Sequence, residues 1–286
     1  MLNLIKMDLH RMFHSPSTWI ILAFSVALAV FNVIATNLDI QSIAENPQSA
    51  QLVQSEVTGN EDRTIGIVVE TDPEWIHGPI EAGEVISTQL RSGILVLVCV
   101  IFTALFVNAE HRNGYIKNIA GQFPRRGMLV LSKLAAIALQ VLLMLILFTA
   151  ATALSGWIYW GSRLYLDSFS SLLPFLGTQY LLHLGFSALI LFLCVLTRSS
   201  AFSMVIGLLA CCGALIPVYS LVNQAVYNIQ PGWNFDISRY MLDGNISMAG
   251  IGAGGEVLLR AVLVSCAFLV IFTAAAMALM KKRDVR

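Results

Sequence analysis

Charge is scarce in this chain. Asp, Glu, Lys and Arg make up 12% of its 286 residues, 57% are hydrophobic, and the mean hydropathy is +0.76. A soluble domain of this length needs far less apolar content. Several chemical signatures are missing too. No GxxxxGK[ST] occurs, which excludes ATP binding through a P-loop in this chain. Neither HExxH nor GxSxG occurs, so zinc-protease and serine-hydrolase chemistry has no anchor. The five cysteines, Cys99, Cys194, Cys211, Cys212 and Cys266, all lie in apolar runs. That leaves no disulfide framework and no spaced metal-ligand set, and suits small packing residues. No series of ionisable residues crosses the apolar runs, which argues against a proton-coupled carrier with a carboxylate relay. Internal repeats and low-complexity tracts are absent, so residues 1–286 are expected to form one domain.

What remains is six apolar runs, roughly Thr18–Thr36, Ser92–Val107, Met128–Trp157, Leu172–Leu196, Ala201–Val222 and Ala261–Met280. About 20 helical residues at roughly 1.5 Å each cross a bilayer core. The second run is short and is expected to extend outward through Gln89 and Arg91. The pattern predicts an all-α integral membrane protein with six transmembrane helices. The basic start is followed by an apolar stretch too long for a signal peptide, so a retained first helix is expected.

Zero net charge hides an asymmetry. With the N-terminus inside, the inner segments hold twelve of the 17 Lys/Arg and three of the 17 Asp/Glu, +9 inside and −9 outside. Basic residues in short inner loops set orientation, so both termini are expected in the cytoplasm.

Residues 1–16 precede the first run. Asn3, Lys6, His10 and His14 share one helical face, and Leu2, Ile5, Leu9 and Met12 another. This predicts an amphipathic interfacial helix, with a frayed tail as the alternative. Residues 38–88 form an outer loop with ten acids and one base, Arg63. It either attracts a cationic substrate or is a solvated loop. "TIGIVVE" (Thr64–Glu70) within it reads as a short strand. Trp157, Tyr159, Trp160 and Tyr165 suit a membrane interface. Residues 223–256 form the second outer loop and hold the sequon "NIS" at Asn245–Ser247. Arg91 and Lys133 are placed to snorkel, and Glu256 and Arg260 to pair.

Two groups of residues are candidates for function. Gln179, His183 and Ser187 recur every four residues, a polar stripe on the fourth run. The stripe either lines a substrate pathway or a proton-sensitive site, or makes interhelical hydrogen bonds. The other candidate is the basic stretch "NAEHRNGYIKNIAGQFPRRGMLVLSK" between the second and third runs. Asn113–Gly114 signals a turn, Tyr115–Gln122 has room for two helical turns, and Pro124 ends them. A short inward-projecting helix of this kind is a docking element for a cytoplasmic partner, or else simply a basic loop.

Three stretches together resemble the membrane subunit of bacterial ABC-2-type transporters. They are "LIKMDLHRMFHSPSTW" before the first run, "FVNAEHRNGYIKNIAGQFPRRGMLVLSK" after the second, and the terminal "KKRDV". The family's middle segment runs acid, Gly at a turn, Lys or Asn, a Pro/Arg region, then Lys. Here these are Glu110, Gly114, Lys117 with Asn118, Pro124 with Arg125 and Arg126, and Lys133. Tyr115 stands where the family commonly has Thr. The resemblance implies that residues 108–127 form a cytoplasmic coupling segment, with Tyr115–Gln122 as the coupling helix between helices 2 and 3. It implies two copies of a separate ABC ATPase subunit, which would bind ATP and Mg, and a second membrane subunit, identical or paralogous. No cofactor in this chain, no enzyme activity of its own and no nucleic-acid partner are expected. The implied role is export of an amphipathic or hydrophobic cargo (drug, peptide or lipid) across the bacterial plasma membrane. The alternatives are a non-transporting membrane anchor or sensor and an intramembrane enzyme.

Overall fold

In a bilayer core no water satisfies backbone polar groups, so apolar segments of this length fold as helices. The computed structural model describes residues 2–45, 71–76, 78–112, 127–165, 169–233 and 235–282. Among them the helices are α1 (Leu2–His14), α2 (Pro16–Glu45), α3 (Ala82–Arg91), α4 (Ile94–Arg112), α5 (Gly127–Trp160), α6 (Phe169–Thr197), α7 (Ser200–Cys211), α8 (Ile216–Ile229), α9 (Leu242–Met248) and α10 (Gly255–Lys282). The one described sheet is a parallel pairing of β1 (Ile80–Glu81) with β2 (Leu164–Tyr165). Thr64–Glu70, expected as a strand, lies outside the described residues.

Four helices, α2, α5, α6 and α10, are each long and apolar enough to cross a membrane. Two more spans are bent pairs: α3 with α4 at 50°, and α7 with α8 at 61°. The expected six spans are therefore present only if each bent pair counts as one. The expected outward extension of the second span exists as α3, turned away at Ser92–Gly93, where Gly93 has φ 75°. The fifth span was expected unbroken. Gly213, at φ 78°, and Pro217, in the first turn of α8, interrupt it. Glycine admits the left-handed turn, and proline starts a helix without needing a backbone donor.

The central helix is α6, with 61% of its apolar window buried, against 17% for α10. It packs on α10, α4, α5 and α7, while α2 lies along α5. Buried Ser and Thr side chains bond back into their own helices, as Thr152 does to Phe148 O at 2.9 Å and Ser187 to His183 O at 2.9 Å. Their hydroxyls are thereby satisfied away from water.

The segment expected as a long outer loop is structured at both ends. Helix α2 runs on to Glu45, and after a gap in the description Pro73–Ile76 forms a 3₁₀ turn leading into β1 and α3. Trp75 is 2% exposed and packs with Val33, Ile40, Ile80, Val85 and Trp160 in a small second core. Arg163 Nη2 fastens it, donating to the carbonyls of Trp75 (2.6 Å), Gly78 (3.1 Å) and Ile76 (3.2 Å). Trp160 Nε1 donates to Asn37 Oδ1 at 3.1 Å. Of the four aromatics expected at the interface, Trp160 is thus buried in this cap, while Trp157, Tyr159 and Tyr165 stay exposed. Trp75→Ala should cost about 3–5 kcal/mol, the range for losing a buried Trp. The measurement is the thermal unfolding midpoint in mild detergent, and an unchanged midpoint would contradict the packing described.

Candidate functional site

The polar stripe of α6 is fully inside the bundle. Gln179, His183 and Ser187 are at most 1% exposed and bond in sequence along one face. His183 Nδ1 lies 2.7 Å from Gln179 O. A carbonyl only accepts, so Nδ1 carries a proton. Nε2 is buried with no hydrogen-bond partner among the described residues. Gln179 Nε2 reaches out of the helix and donates to Ala249 O at 2.8 Å and Ile246 O at 3.3 Å.

Those two carbonyls belong to the end of α9. The last four carbonyls of any helix lack an intrahelical partner. Ser247 O is met from the other side by Arg91 Nε at 2.6 Å. Arg91 was expected to snorkel, but it sits at the α3–α4 bend and points into the bundle end instead. Ser87 Oγ accepts from Ile251 N at 3.0 Å, Tyr219 OH donates to both carboxylate oxygens of Asp243 at 2.9 Å, and Arg260 Nη2 lies 3.4 Å from Met248 Sδ. Arg260 therefore turns toward α9, where the spacing had suggested Glu256.

Helix α9 itself is buried at every position except Asp243, which is partly covered. Burial pushes the Asp243 carboxyl above the usual carboxylate range, and the Tyr219 hydroxyl limits that rise. Just before α9, burial acts to raise the Asp236 carboxyl. Ser238, Asn223 and Arg239 outweigh it and hold the group below its ordinary value. The sequon Asn245 is wholly buried, donating through Nδ2 to Met241 O at 2.7 Å and Arg239 O at 2.9 Å, so it offers no glycosylation site in this fold.

Sequence reasoning passed over Asn32 on α2, Thr103 on α4, Gln140 on α5 and Thr273 on α10. All are buried, and their side-chain N and O atoms have no partner among the described residues. Each unpaired buried polar group costs about 1–3 kcal/mol. Polar residues in spans usually face the bundle interior. A lone Asn or Gln in an apolar run was the available signal.

The second site lies at the other end of the bundle. Glu110 falls in the last turn of α4, with its side chain outside the description. Gly114, Tyr115, Lys117, Asn118, Arg125 and Arg126, with the expected helix Tyr115–Gln122, lie outside the described residues. The flanks of this segment are described, and α1 joins them. Ser132 Oγ, near the start of α5, donates to Asp8 Oδ2 at 2.6 Å. Arg11 pairs with Asp8 at 3.5 Å and lies 4.6 Å from the ring centre of Phe106, near the end of α4. The buried face of α1 is therefore Leu4, Asp8 and Met12, whereas Leu2, expected on the apolar face, is 80% exposed. An acid sits at the middle of that face because a hydroxyl and a guanidinium meet it there. Lys133, expected to snorkel, is 4% exposed.

Residues 74–213, close to half of the chain, match the family described as ABC-2 family transporter protein. The matched stretch runs from the Trp75 cap through α7 and includes both flanks of the polar inner segment and the α6 stripe. That stretch is an ABC-2 family transporter domain. The chain is a multi-pass membrane permease, the transmembrane component of an ABC transporter, and permeases of this family work with an ATPase subunit. Its lack of a P-loop fits that division of labour. Helices α1, α2, α8, α9 and α10 lie outside the match. No curated protein matches the chain's sequence.

Proposed function

We propose that this ABC-2 permease forms the translocation pathway of an ATP-driven exporter and couples to a separate ATPase through residues 108–127. The family match carries the proposal, because it spans that segment together with the helices on either side. In this scheme two ATPase subunits bind Mg-ATP and close, then reopen on hydrolysis. Glu110, Gly114, Tyr115, Lys117, Asn118, Arg125 and Arg126 receive the movement. A second membrane subunit, identical or paralogous, completes the pathway. A ligand that binds two states unequally shifts their balance, and ATP supplies that difference at the inner end.

The α6 stripe is proposed to line the route. Its groups are weakly polar and largely committed to hydrogen bonds, which suits an amphipathic or hydrophobic cargo such as a drug, peptide or lipid better than a bare ion. Both termini are placed in the cytoplasm, residues 1–16 at the membrane interface, and the whole chain in the bacterial plasma membrane, on the strength of the Lys/Arg asymmetry. Purification from native membranes in mild detergent tests the scheme. A stoichiometric soluble chain with a GxxxxGK[ST] motif should accompany the permease. A permease that emerges alone under several mild conditions would overturn the coupling proposal, and selective transport of a simple cation would overturn the proposed cargo class.

A further inference from the structure

The outward side of α1 carries two histidines that the proposed function does not use. His10 and His14 are four residues apart and both exposed, on the side of α1 opposite the buried Leu4, Asp8 and Met12. Residues at this spacing are neighbours on a helix surface. Their rings stack, with centroids 3.8 Å apart and planes 16° from parallel. His14 Nδ1 donates to His10 O at 2.8 Å. A carbonyl only accepts, so the proton on Nδ1 is fixed and Nε2 is the nitrogen left for a ligand. Metal-bound histidines almost always donate their other ring N–H to a carbonyl or carboxylate in this way, which sets the orientation of the ring. The end of the helix is anchored as well. Trp19 Nε1 donates to Phe13 O at 2.9 Å, and Ser15 N to Met12 O at 3.2 Å.

We propose that His10 and His14 bind one divalent first-row metal ion that favours imidazole, such as Cu(II) or Zn(II). Two histidines at i and i+4 on one helical face are a recurring ligand pair. Imidazole suits these ions, whereas Mg and Ca take oxygen ligands. No third His, Cys, Asp or Glu joins the pair among the described residues, so water completes the coordination shell. The stacked rings hold their lone pairs nearly parallel. A turn of the His10 ring about χ2, a broad torsion, brings its nitrogen toward the point that His14 Nε2 faces. Lys6 lies one turn before His10 on the same side and is exposed, so solvent and salt screen its charge. Arg11 is drawn away to Asp8 and the Phe106 ring. The ion therefore bridges the last turn of α1 and clamps Arg11 between its two ligands, in the turn that reaches the end of α4.

The test uses the full chain without an affinity tag, in mild detergent. Cu(II) is titrated and followed by electron paramagnetic resonance. One Cu(II) per chain with nitrogen hyperfine structure is expected, and His10→Gln or His14→Gln should each weaken binding at least tenfold. Zn(II) supplies a second reading. Trypsin cleavage after Arg11 needs this turn to open locally. Zinc at about 100 times its dissociation constant should slow that cleavage roughly 100-fold in the parent. At the same zinc concentration the slowing should be at least tenfold smaller in either variant. Each protein is compared with itself with and without zinc, so a difference in basal fraying does not enter.

Absence of a nitrogen-coupled Cu(II) signal, copper binding that survives both substitutions, or the same zinc effect in parent and variants would overturn the site. The chain binds metal, or does not, whether or not an ATPase co-purifies, so this proposal and the coupling scheme fail by different results.

Discussion

Gly207→Val should unseat α7 and lower stability by more than about 3 kcal/mol, above the usual range for an overpacked core. A Cβ at position 207 would lie 2.6 Å from Val100 Cγ1, 2.6 Å from Ile190 Cδ1 and 3.2 Å from Val100 Cγ2. Carbon atoms pack best at roughly 3.5–4.0 Å. Ile190 offers the far end of a flexible side chain and is able to yield. Val100 is branched at Cβ and held in one rotamer within α4, so it does not. Against this clash stands the helix-propensity gain of replacing glycine, about 1 kcal/mol for alanine. The clash wins: Gly207→Ala should lose about 1–2 kcal/mol net, and valine more. Val100→Ala in the Gly207→Ala background should restore most of the loss, with a coupling of at least about 1 kcal/mol in the double-mutant cycle. Thermal unfolding in mild detergent checks Gly207→Val and the four proteins of the cycle. Simple additivity would mean that α7 does not pack on α4 through this glycine.

Asp8→Lys should release α1 from the bundle. The replacement puts an ammonium where Ser132 donates and Arg11 approaches at 3.5 Å, with the buried Lys133 next along α5. Removing one partner of a buried charge pair costs about 3–5 kcal/mol, and here a like charge is added. Two features moderate the cost. Ser132 also reaches Leu129 O at 3.1 Å, and Arg11 is partly exposed and keeps the Phe106 ring. A net loss of about 3 kcal/mol remains, equivalent to an opening of α1 on the order of 100-fold more frequent. Trypsin cleavage after Arg11 in detergent-solubilised protein reads that opening, because cleavage needs the helix unfolded locally. Asp8→Asn keeps an acceptor and should fall between the parent and the lysine variant. Equal cleavage rates in all three proteins would contradict the seat described for α1.

The membrane helices were legible because length and apolarity suffice to specify a span. Their bends were not. The hydropathy of the fifth run continues through Gly213 and Pro217, and a window average does not register the two residues that break the backbone. Asp8 was legible only as a charge. An acid on an amphipathic helix reads as solvent-facing until Ser132, 124 positions away, is known to meet it. The α6 stripe followed from four-residue spacing, yet its main contact, the end of α9, did not. A stretch such as "LDGNISM" reads as loop because its burial is created by side chains from four other helices. The Trp75 cap was hidden for the same reason, since Arg163, just past the end of α5, reaches it across 88 positions. Local periodicity carries local structure, and the remainder of this site is long-range pairing.

In the proposed coupling scheme the segment after α4 is where an ATPase acts on this permease. The most direct measurement compares the ATPase recovered with the purified parent chain and with the Glu110→Ala, Gly114→Ala double variant, together with each sample's ATP turnover and the permease's own unfolding midpoint. Stoichiometric ATPase with the parent, loss of both the subunit and the turnover in the variant, and an unchanged midpoint are expected. A variant that retains the ATPase as fully as the parent, or a parent that binds none, would contradict it.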